Sequence, residues 1–248
     1  MRKLASIVLF LTILSHSFGQ SKNSPLQISH LTGDFYVYKT FHDYKGTLIS
    51  ANALYLVTSK GVVLFDAPWD EKQFQPLLDS IKAKHHKEVV MHFATHSHED
   101  RAGGLGFYRE KGIKTYTIKL TDEILKKENK KRAQFVIPND TTFTVGQHTF
   151  EVYYPGKGHA QDNIVVWFAK EKVLYGGCFI KSADAKDLGY LGDADVKDWE
   201  KSIKKVQAKF KNPKYIITGH DDWKDLGSLN HTLKLVQKYN TAKTSGQK

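Results

Sequence analysis

The sequence has 248 residues, of which 40% are hydrophobic, and its formal net charge is +11 at pH 7. This length is enough for one domain with a core of two or more layers, and no second domain is expected. The positive charges are dispersed and are not interleaved with aromatic residues, so they indicate a solvated surface and argue against a nucleic-acid-binding face. The single cysteine excludes an internal disulfide.

Residues 1–19 have the pattern of a secretory signal peptide. Two basic residues precede an apolar stretch at 4–14, and small residues then lead to an expected cleavage before Gln20. The apolar stretch is too short to span a bilayer, and no cysteine follows it to carry a lipid anchor. An amphipathic or buried N-terminal helix is the alternative. We expect an exported, periplasmic protein whose single domain occupies residues 20–248.

The first half of the remaining chain is rich in strands. Segments with many β-branched and aromatic residues predict an antiparallel meander with strands at 27–31, 35–41, 51–58 and 61–65. The polar, glycine-bearing segment 42–47 is predicted as the connection between the second and third of these strands. Asp70 can cap a helix at 71–85, and an apolar run at 89–94 follows that helix.

The second half mixes helices with further strands. Helices are predicted at 104–111, 121–127, 196–210 and 229–239, the last two from apolar residues spaced by three and four. Strands are predicted at 114–117, 142–145, 148–153, 164–168 and 173–176. A second strand-rich half that echoes the first predicts an α/β fold in which two sheets pack face to face with helices outside.

A cluster of metal-binding side chains follows the apolar run at 89–94. His96, His98 and Asp100 fall within five residues, and the two imidazoles can share one ion if they project to the same side of an extended segment. Asp100 then reaches toward a second ion. The two glycines that end the motif HSHEDRAGG are expected to let the backbone turn sharply below the metals. A polar loop after a strand is the alternative, because the chain has twelve histidines.

Three further donors each follow a hydrophobic strand and a glycine, namely His159, Cys178 and His220. Four such strands would bring six donors around one cleft, a set that suits two zinc ions, each with a position open to water. A buried structural thiol is the alternative for Cys178. The histidines without a matching partner pattern are predicted as surface or core residues: His30, His42, His85, His86, His92, His148 and His231.

Taken together, HSHEDRAGG, GHAQDN, GGC and GH resemble the metallo-β-lactamases, in the subclass that has a three-histidine zinc site and an Asp-Cys-His zinc site. The resemblance runs from about residue 27 to the C-terminus. Relatives on the same fold, such as glyoxalase-like and lactonase-like hydrolases, usually carry a histidine and a bridging aspartate where this chain has Arg101 and Cys178. The resemblance implies the αβ/βα sandwich, with two β-sheets and helices on the outer faces.

The resemblance also implies an activity. It predicts hydrolysis of the β-lactam ring of penicillins, cephalosporins and carbapenems, and hence antibiotic resistance, by attack of a zinc-bound hydroxide without a covalent intermediate. Asp100 is the candidate for orienting that hydroxide or relaying its proton. Two zinc ions per chain are implied, one held by three histidines and the other by the remaining donors: His96, His98 and His159, then Asp100, Cys178 and His220.

Five further residues acquire roles from the resemblance. Lys181 matches the lysine that binds the substrate carboxylate, and Tyr190 stands at a substrate-binding position where an asparagine is usual. Arg101 is expected to support the Asp-Cys-His site, Asp66 to orient metal ligands, and Asn163 to brace its own loop. A solvated lysine, a surface arginine and a turn-forming aspartate are the alternatives. In the family, the segment 42–47 would be a mobile flap over the substrate, and an ordinary hairpin turn is the alternative there.

Other functions stay open at this point. A hydrolase of the same fold that acts on a lactone, a thioester or a phosphodiester is one alternative, and a zinc-storing or nucleic-acid-binding module is another. The leading expectation is a monomer that acts on a small β-lactam, without nucleic acid or a membrane anchor.

Overall fold

The protein is described here by a computed structural model that covers residues 26–245, so the predicted signal peptide lies outside the described residues. Two β-sheets pack face to face, and helices cover the outer face of each sheet. This arrangement confirms the predicted αβ/βα sandwich. In this part of the chain no helix has the length and apolar character needed to cross a bilayer.

The first sheet runs in sequence order and contains seven strands within the described residues. They are β1 (Gln27–Thr32), β2 (Phe35–Tyr44), β3 (Thr47–Thr58), β4 (Gly61–Phe65), β5 (Val89–Phe93), β6 (Lys114–Ile118) and β7 (Phe135–Ile137). Strands β1 to β4 form the predicted antiparallel meander, and β4 to β7 pair in parallel. The connections after β4, β5 and β6 carry the helices α1 (Phe74–His85), α2 (Glu99–Ala102), α3 (Leu105–Glu110) and α4 (Lys119–Lys127).

The second sheet contains five strands within residues 26–245, in the order β12-β11-β10-β9-β8. They are β8 (Thr141–Val145), β9 (His148–Tyr153), β10 (Val165–Phe168), β11 (Val173–Gly177) and β12 (Tyr215–Thr218). Neighbouring strands are antiparallel except β11 and β12, which pair in parallel because α5 (Val196–Lys209) connects them. The helix α6 (Ser228–Ser245) follows β12 and packs with α5 on the outer face.

Aromatic side chains from both sheets fill the space between them. Phe65 of β4 meets Phe150 of β9 edge to face, with ring centroids 5.2 Å apart, and Phe168 of β10 edge to face at 5.5 Å. Each such pair contributes about 1 kcal/mol beyond the burial of its area. This core fixes how the two sheets sit on each other, and therefore how their strand ends meet.

The structure corrects the predicted connection at 42–47. Strand β2 continues to Tyr44 and β3 begins at Thr47, so only Lys45 and Gly46 form the turn. Both have positive φ, 53° and 82°, which is the conformation of two-residue hairpin turns that match the twist of the strands. Residues 41–50 are exposed or only partly buried, so burial imposes no alternation of polar and apolar side chains there, and the polar segment 42–47 reads as a loop.

Two short elements were not predicted. Strand β7 has three residues and ends immediately before a proline, too short a run to be recognised by periodicity. Helix α2 has four residues and begins at Glu99, inside the HSHEDRAGG motif. The predicted cap at Asp70 is present, because its side chain accepts a hydrogen bond from the Lys72 amide at 3.0 Å.

A histidine predicted to have no special role joins the two sheets at their edge. His148, at the start of β9 and 6% exposed, has its Nε2 atom 2.8 Å from Asp34 Oδ2 in the β1–β2 turn. Its Nδ1 atom lies 3.4 Å from Glu171 in the β10–β11 turn. Burial acts to raise the pKa of Asp34, but the hydrogen bonds from His148 and Gln147 outweigh it and lower that pKa.

This contact predicts a pH-dependent contribution to stability. Because the pKa of Asp34 is lowered from 3.8 in the folded state, the stabilisation is present above that value and is lost as the pH falls through the folded-state pKa. We expect Asp34→Asn to lower Tm near neutral pH, and we expect the difference from the parent chain to disappear in acid. Thermal unfolding across the acidic range checks this, with Asp79→Asn on the exposed face of α1 as the control. A Tm difference that is constant with pH would contradict the assignment.

Candidate metal centre

The ends of strands from both sheets bring the six predicted donors together at one edge of the sandwich. His96, His98 and Asp100 follow β5, and His159 lies between β9 and β10. Cys178 and His220 follow the parallel strands β11 and β12. Parallel strands deliver the residues after their carboxyl ends to the same edge of a sheet, which explains why these two donors become neighbours.

Three imidazoles form the first group. The donor atoms of His96, His98 and His159 all lie within 4.8 Å of one another. Their ring centroids are separated by 4.6, 5.2 and 5.1 Å, and the interplanar angles are 75°, 87° and 89°. Three rings that are nearly perpendicular to one another surround a common point, the arrangement that three neutral imidazoles adopt around one ion.

The hydrogen bonding of these rings leaves nitrogen atoms directed inward. His96 Nε2 and His98 Nδ1 face each other at 3.0 Å. The remaining nitrogens point to other partners, since His98 Nε2 lies 2.9 Å from Asp193 Oδ2 and His96 Nδ1 lies 3.4 Å from the Thr95 hydroxyl. Two unprotonated nitrogens at 3.0 Å repel each other unless a cation or a proton lies between them. The donor set therefore fits a metal ion, and its outer hydrogen bonds have the pattern that orients metal-binding histidines.

Burial keeps two of these imidazoles neutral. It lowers the pKa of His96 and of His159 well below the ordinary value, and nearby positive charge, such as that of Lys181 beside His159, acts in the same direction. For His98, burial is outweighed by the hydrogen bond to Asp193, so its pKa is raised. Neutral imidazole is the form that binds a metal.

A carboxylate, a thiol and an imidazole form the second group. Cys178 Sγ lies 3.2 Å from His220 Nε2 and 3.5 Å from Asp100 Oδ2, and the last two atoms are 3.3 Å apart. The donor atoms of His96, Asp100 and Cys178 also lie within 4.8 Å of one another, so the two groups adjoin. His220 Nδ1 lies 2.6 Å from the Ser50 carbonyl oxygen, which leaves Nε2 free to bind a metal.

The charges of the second group are strongly coupled. Although burial acts in the opposite direction, Cys178 and Asp100 raise the pKa of His220 to about 9. For Asp100, burial is outweighed by Arg101 and His220, which hold its pKa well below the ordinary value. The acidic donors of this group therefore favour a positive charge beside them.

Arg101 is completely buried and lies against this group. Its Nε atom donates to Cys178 Sγ at 3.2 Å, and its Nη2 atom lies 3.0 Å from Asp100 Oδ2. The same guanidinium donates to the carbonyl oxygens of Asn52 and Gly219 at 2.7 and 2.8 Å. One buried positive charge faces the carboxylates of Asp100 and Asp66 and a thiol, so the pocket favours additional positive charge.

The glycines of the motif act differently from the prediction. Gly103 and Gly104 have helical φ values of −56° and −79°, so the backbone does not need glycine in order to turn there. A Cβ atom on Gly104 would lie 2.5 Å from the Tyr108 ring, and one on Gly103 would lie 2.5 Å from the Glu99 carbonyl oxygen. Close packing below the metal centre, and not a sharp turn, is what requires these two glycines.

The structure also locates the other predicted residues. Asn163 accepts a hydrogen bond from the Ala160 amide at 2.9 Å and donates to the Gly156 carbonyl at 3.1 Å, so it connects the two ends of the loop that carries His159. Lys181 is only 9% exposed, and its Nζ atom lies 5.5 Å from the centre of the Trp199 ring. Burial lowers the pKa of Lys181.

Tyr190 is exposed beside the centre, whereas Asp66 is buried. Tyr190 is 61% exposed, and its ring centroid is 5.7 Å from that of His98, so it stands at the open side. Asp66 is buried and accepts hydrogen bonds from the Thr95 amide at 2.7 Å and the Thr95 hydroxyl at 2.9 Å. Asp66 therefore holds the residue that precedes His96.

Three residues that contact the donors or Asp66 have no signal in the sequence. Asp193 reaches His98 from the segment before α5, and Tyr175 of β11 donates to Asp66 Oδ2 at 2.5 Å. The Trp69 ring centroid lies 6.1 Å from that of His220, and the Trp69 ring stacks on His42 of the β2–β3 hairpin with centroids 4.7 Å apart. No spacing signal links these residues to the donors, because each belongs to a different element.

Comparison with known proteins assigns the family. The model of the Metallo-beta-lactamase superfamily matches residues 46–220. The chain belongs to this superfamily. Membership confirms the resemblance inferred from the motifs, makes the chain a hydrolase, and makes zinc the metal that the donor groups serve.

Individual relatives are similar over most of their length. The "Metallo-beta-lactamase type 2" of Elizabethkingia meningoseptica is 52% identical over 224 residues, which cover 90% of each chain. Metallo-beta-lactamase IND-1 of Chryseobacterium indologenes is 49% identical over 84% of this chain and 87% of its own. The crystal structure of metallo-beta-lactamase IND-7 superposes with a TM-score of 0.83 at 47% identity, covering 86% of this chain and 98% of that one.

The Asp193 contact predicts an effect on one metal group. Because Asp193 orients the ring of His98, we expect Asp193→Ala to weaken zinc binding by His96, His98 and His159 about tenfold, while the group around Cys178 changes little. Competition with a chromophoric chelator measures both affinities. Asp184→Ala, an exposed substitution in the preceding segment, is the control. Equal weakening of both groups would contradict a role through His98.

Proposed function

We propose that this chain is an exported, zinc-dependent β-lactamase that hydrolyses the four-membered amide of penicillins, cephalosporins and carbapenems. One observation carries the proposal: three imidazoles adjoin a carboxylate, a thiol and a fourth imidazole in one cleft. Donor sets of this kind suit two zinc ions of different character. The high identity to proteins named metallo-beta-lactamases over most of the chain supports the same activity.

The proposed chemistry uses the two groups differently. His96, His98 and His159 would hold one zinc ion, and Asp100, Cys178 and His220 the other. When bound, zinc lowers the pKa of water toward roughly 7 and polarises a carbonyl oxygen, so no serine nucleophile is needed.

Asp100 and Cys178 have different proposed roles in the reaction. Asp100 is held charged by Arg101 and lies beside both donor groups, so it can orient an attacking water or accept its proton. Cys178 Sγ contacts Arg101, His220 and Asp100, which supports a role as a metal ligand over attack on the substrate. No covalent intermediate with the chain is therefore expected.

Two residues are proposed to bind the substrate. Lys181 lies near the centre, since its Nζ atom is 5.5 Å from the centre of the Trp199 ring and that ring lies 5.9 Å from the ring of His159. It is the proposed partner of the substrate carboxylate. Tyr190 stands at the open side beside His98, where its ring can contact the substrate. It cannot reproduce the side-chain amide that is usual at this position in the family.

The remaining parts of the proposal concern the whole protein. Residues 1–19 are proposed to direct export to the periplasm, and residues 20–248 to act as one monomeric domain without a membrane anchor or a nucleic-acid partner. Zinc would hold Cys178 as a thiolate in that compartment, where an unprotected thiol would oxidise.

A direct assay tests the proposed activity. We expect the purified mature chain to hydrolyse a chromogenic cephalosporin and a carbapenem, to lose this activity with a chelator, and to regain it with added zinc. Initial rates followed by absorbance measure the effect. The same assay with a lactone, a thioester and a phosphodiester as substrates tests whether this chain acts on one of those classes instead. Absence of zinc-restorable β-lactam hydrolysis would refute the proposal.

Replacing the thiol separates the two metal groups in the same assay. We expect Cys178→Ser to keep the zinc at the three histidines, to lose zinc at the second group, and to lose most activity, because serine does not supply a thiolate. Metal analysis beside the rate measurement shows which site has emptied. Unchanged occupancy of both sites would contradict the ligand assignment.

Replacing Lys181 tests the proposed carboxylate contact. We expect Lys181→Met, which keeps the length of the buried stem, to raise KM about tenfold with kcat within about twofold, because a charge-assisted hydrogen bond to the substrate is lost. Steady-state kinetics measure both constants. Lys186→Met, at an exposed position in the same segment, is the control. A substrate whose carboxylate is esterified should not distinguish Lys181→Met from the parent chain, and a KM change of the same size on that ester would count against the contact.

A further inference from the structure

Asp66 is a buried carboxylate whose partners belong to both metal groups. Asp66 directly follows β4, is completely buried, and has a φ of 68°, a conformation that few non-glycine residues adopt. Its Oδ1 atom accepts from the Thr95 amide at 2.7 Å. Its Oδ2 atom accepts from the Thr95 hydroxyl at 2.9 Å and from the Tyr175 hydroxyl at 2.5 Å, and Arg101 Nη1 lies 3.5 Å away.

The residues that contact Asp66 adjoin different metal groups. Thr95 precedes His96 in the chain and therefore belongs to the three-histidine group. Arg101 contacts Cys178 and Asp100 and therefore belongs to the second group. The phenol of Tyr175 comes from β11 of the opposite sheet, three residues before Cys178.

The contact between Arg101 and Asp66 is longer than the others that the guanidinium makes. Arg101 Nη2 lies 3.0 Å from Asp100 Oδ2, whereas Nη1 lies 3.5 Å from Asp66 Oδ2. Tyr175 already occupies Asp66 Oδ2 with a hydrogen bond, so that oxygen has less capacity to attract the guanidinium. Without the phenol, Asp66 and Arg101 would form a closer ion pair, and the fork of Arg101 would turn away from Cys178 and Asp100.

We propose that Tyr175 is a positioning residue of the metal centre, whose phenol satisfies Asp66 and thereby keeps Arg101 directed at Cys178 and Asp100. The inference rests on the proposed assignment of Asp100, Cys178 and His220 to one zinc ion. It implies selectivity, because the hydrogen bonds from Thr95 to Asp66 do not require the phenol. Loss of the Tyr175 hydroxyl should weaken the second metal group and spare the three-histidine group.

The chain offers a matched control on the same aspartate. The hydroxyl of Tyr38 donates to the backbone carbonyl oxygen of Asp66 at 2.6 Å, and both tyrosines are completely buried. Tyr38→Phe and Tyr175→Phe therefore each remove one buried hydroxyl that is bonded to Asp66. Only Tyr175→Phe removes a bond to the carboxylate.

The experiment measures metal binding and not only catalysis. For the mature chain and each variant, competition with a chromophoric chelator gives the two zinc affinities, and absorption of the thiolate-to-metal transition after cobalt substitution reports the Cys178 bond. We expect Tyr175→Phe to weaken the second group about tenfold and to alter the thiolate absorption, with the three-histidine group within about twofold. We expect Tyr38→Phe to leave both affinities within about twofold of the parent chain.

A double substitution tests whether the effect passes through the carboxylate. In an Asp66→Asn background, Tyr175→Phe should cause no further weakening of the second group, because the charge that competes for Arg101 has been removed. Additive effects of the two changes would overturn the proposal, as would equal effects of Tyr175→Phe and Tyr38→Phe, or equal weakening of both metal groups. A parent chain that binds no metal at Cys178 would overturn it as well.

These outcomes are distinguishable from failure of the proposed activity. If the parent chain binds two zinc ions but does not hydrolyse β-lactams, the proposed function fails while the metal affinities still test Tyr175.

Discussion

One guanidinium, removed entirely from solvent, contacts the groups on which the metal centre depends. Arg101 donates to Cys178 and to the backbone carbonyl oxygens of Asn52 and Gly219, and it lies beside two carboxylates. Burying a charge costs several kcal/mol unless partners surround it, and the planar fork of arginine can satisfy several partners at once. Asn52 belongs to β3 of the first sheet, whereas Cys178 and Gly219 follow strands of the second. The same interaction therefore joins the sheets and places one half of the metal centre.

The two halves of the centre are held by different physical effects. In the three-histidine group, burial keeps His96 and His159 neutral, and the geometry depends on outer hydrogen bonds such as that between Asp193 and His98. The second group contains acidic donors around one arginine, so charge balance holds it together. A substitution near the centre should consequently affect the two groups unequally, according to whether it changes an orientation or a charge.

The packing of the sandwich supplies the rigidity that such a centre requires. Phenylalanines from both sheets meet edge to face between the layers, and α5 and α6 cover the outer side of the second sheet. The segments that follow β11 and β12 are in close contact, since a Cβ atom on Gly219 would lie 2.6 Å from the Cys178 amide nitrogen. At the far edge, His148 connects turns of both sheets. Donors from strands far apart in sequence are thus held in fixed relative positions.

The sequence by itself determined most of the strands, the packing of two sheets with helices outside, and the six candidate donors. Apolar periodicity marks buried strands, and a donor directly after each strand is visible without any knowledge of contacts. Only the tertiary structure decided which residues orient those donors. Asp193 and Tyr175 act through single hydrogen bonds to residues far away in the chain, the β2–β3 hairpin extends beyond its apolar pattern, and Gly103 and Gly104 are required by packing. The physical reason is that periodicity records burial along one segment, whereas an orienting contact depends on where two independent segments meet.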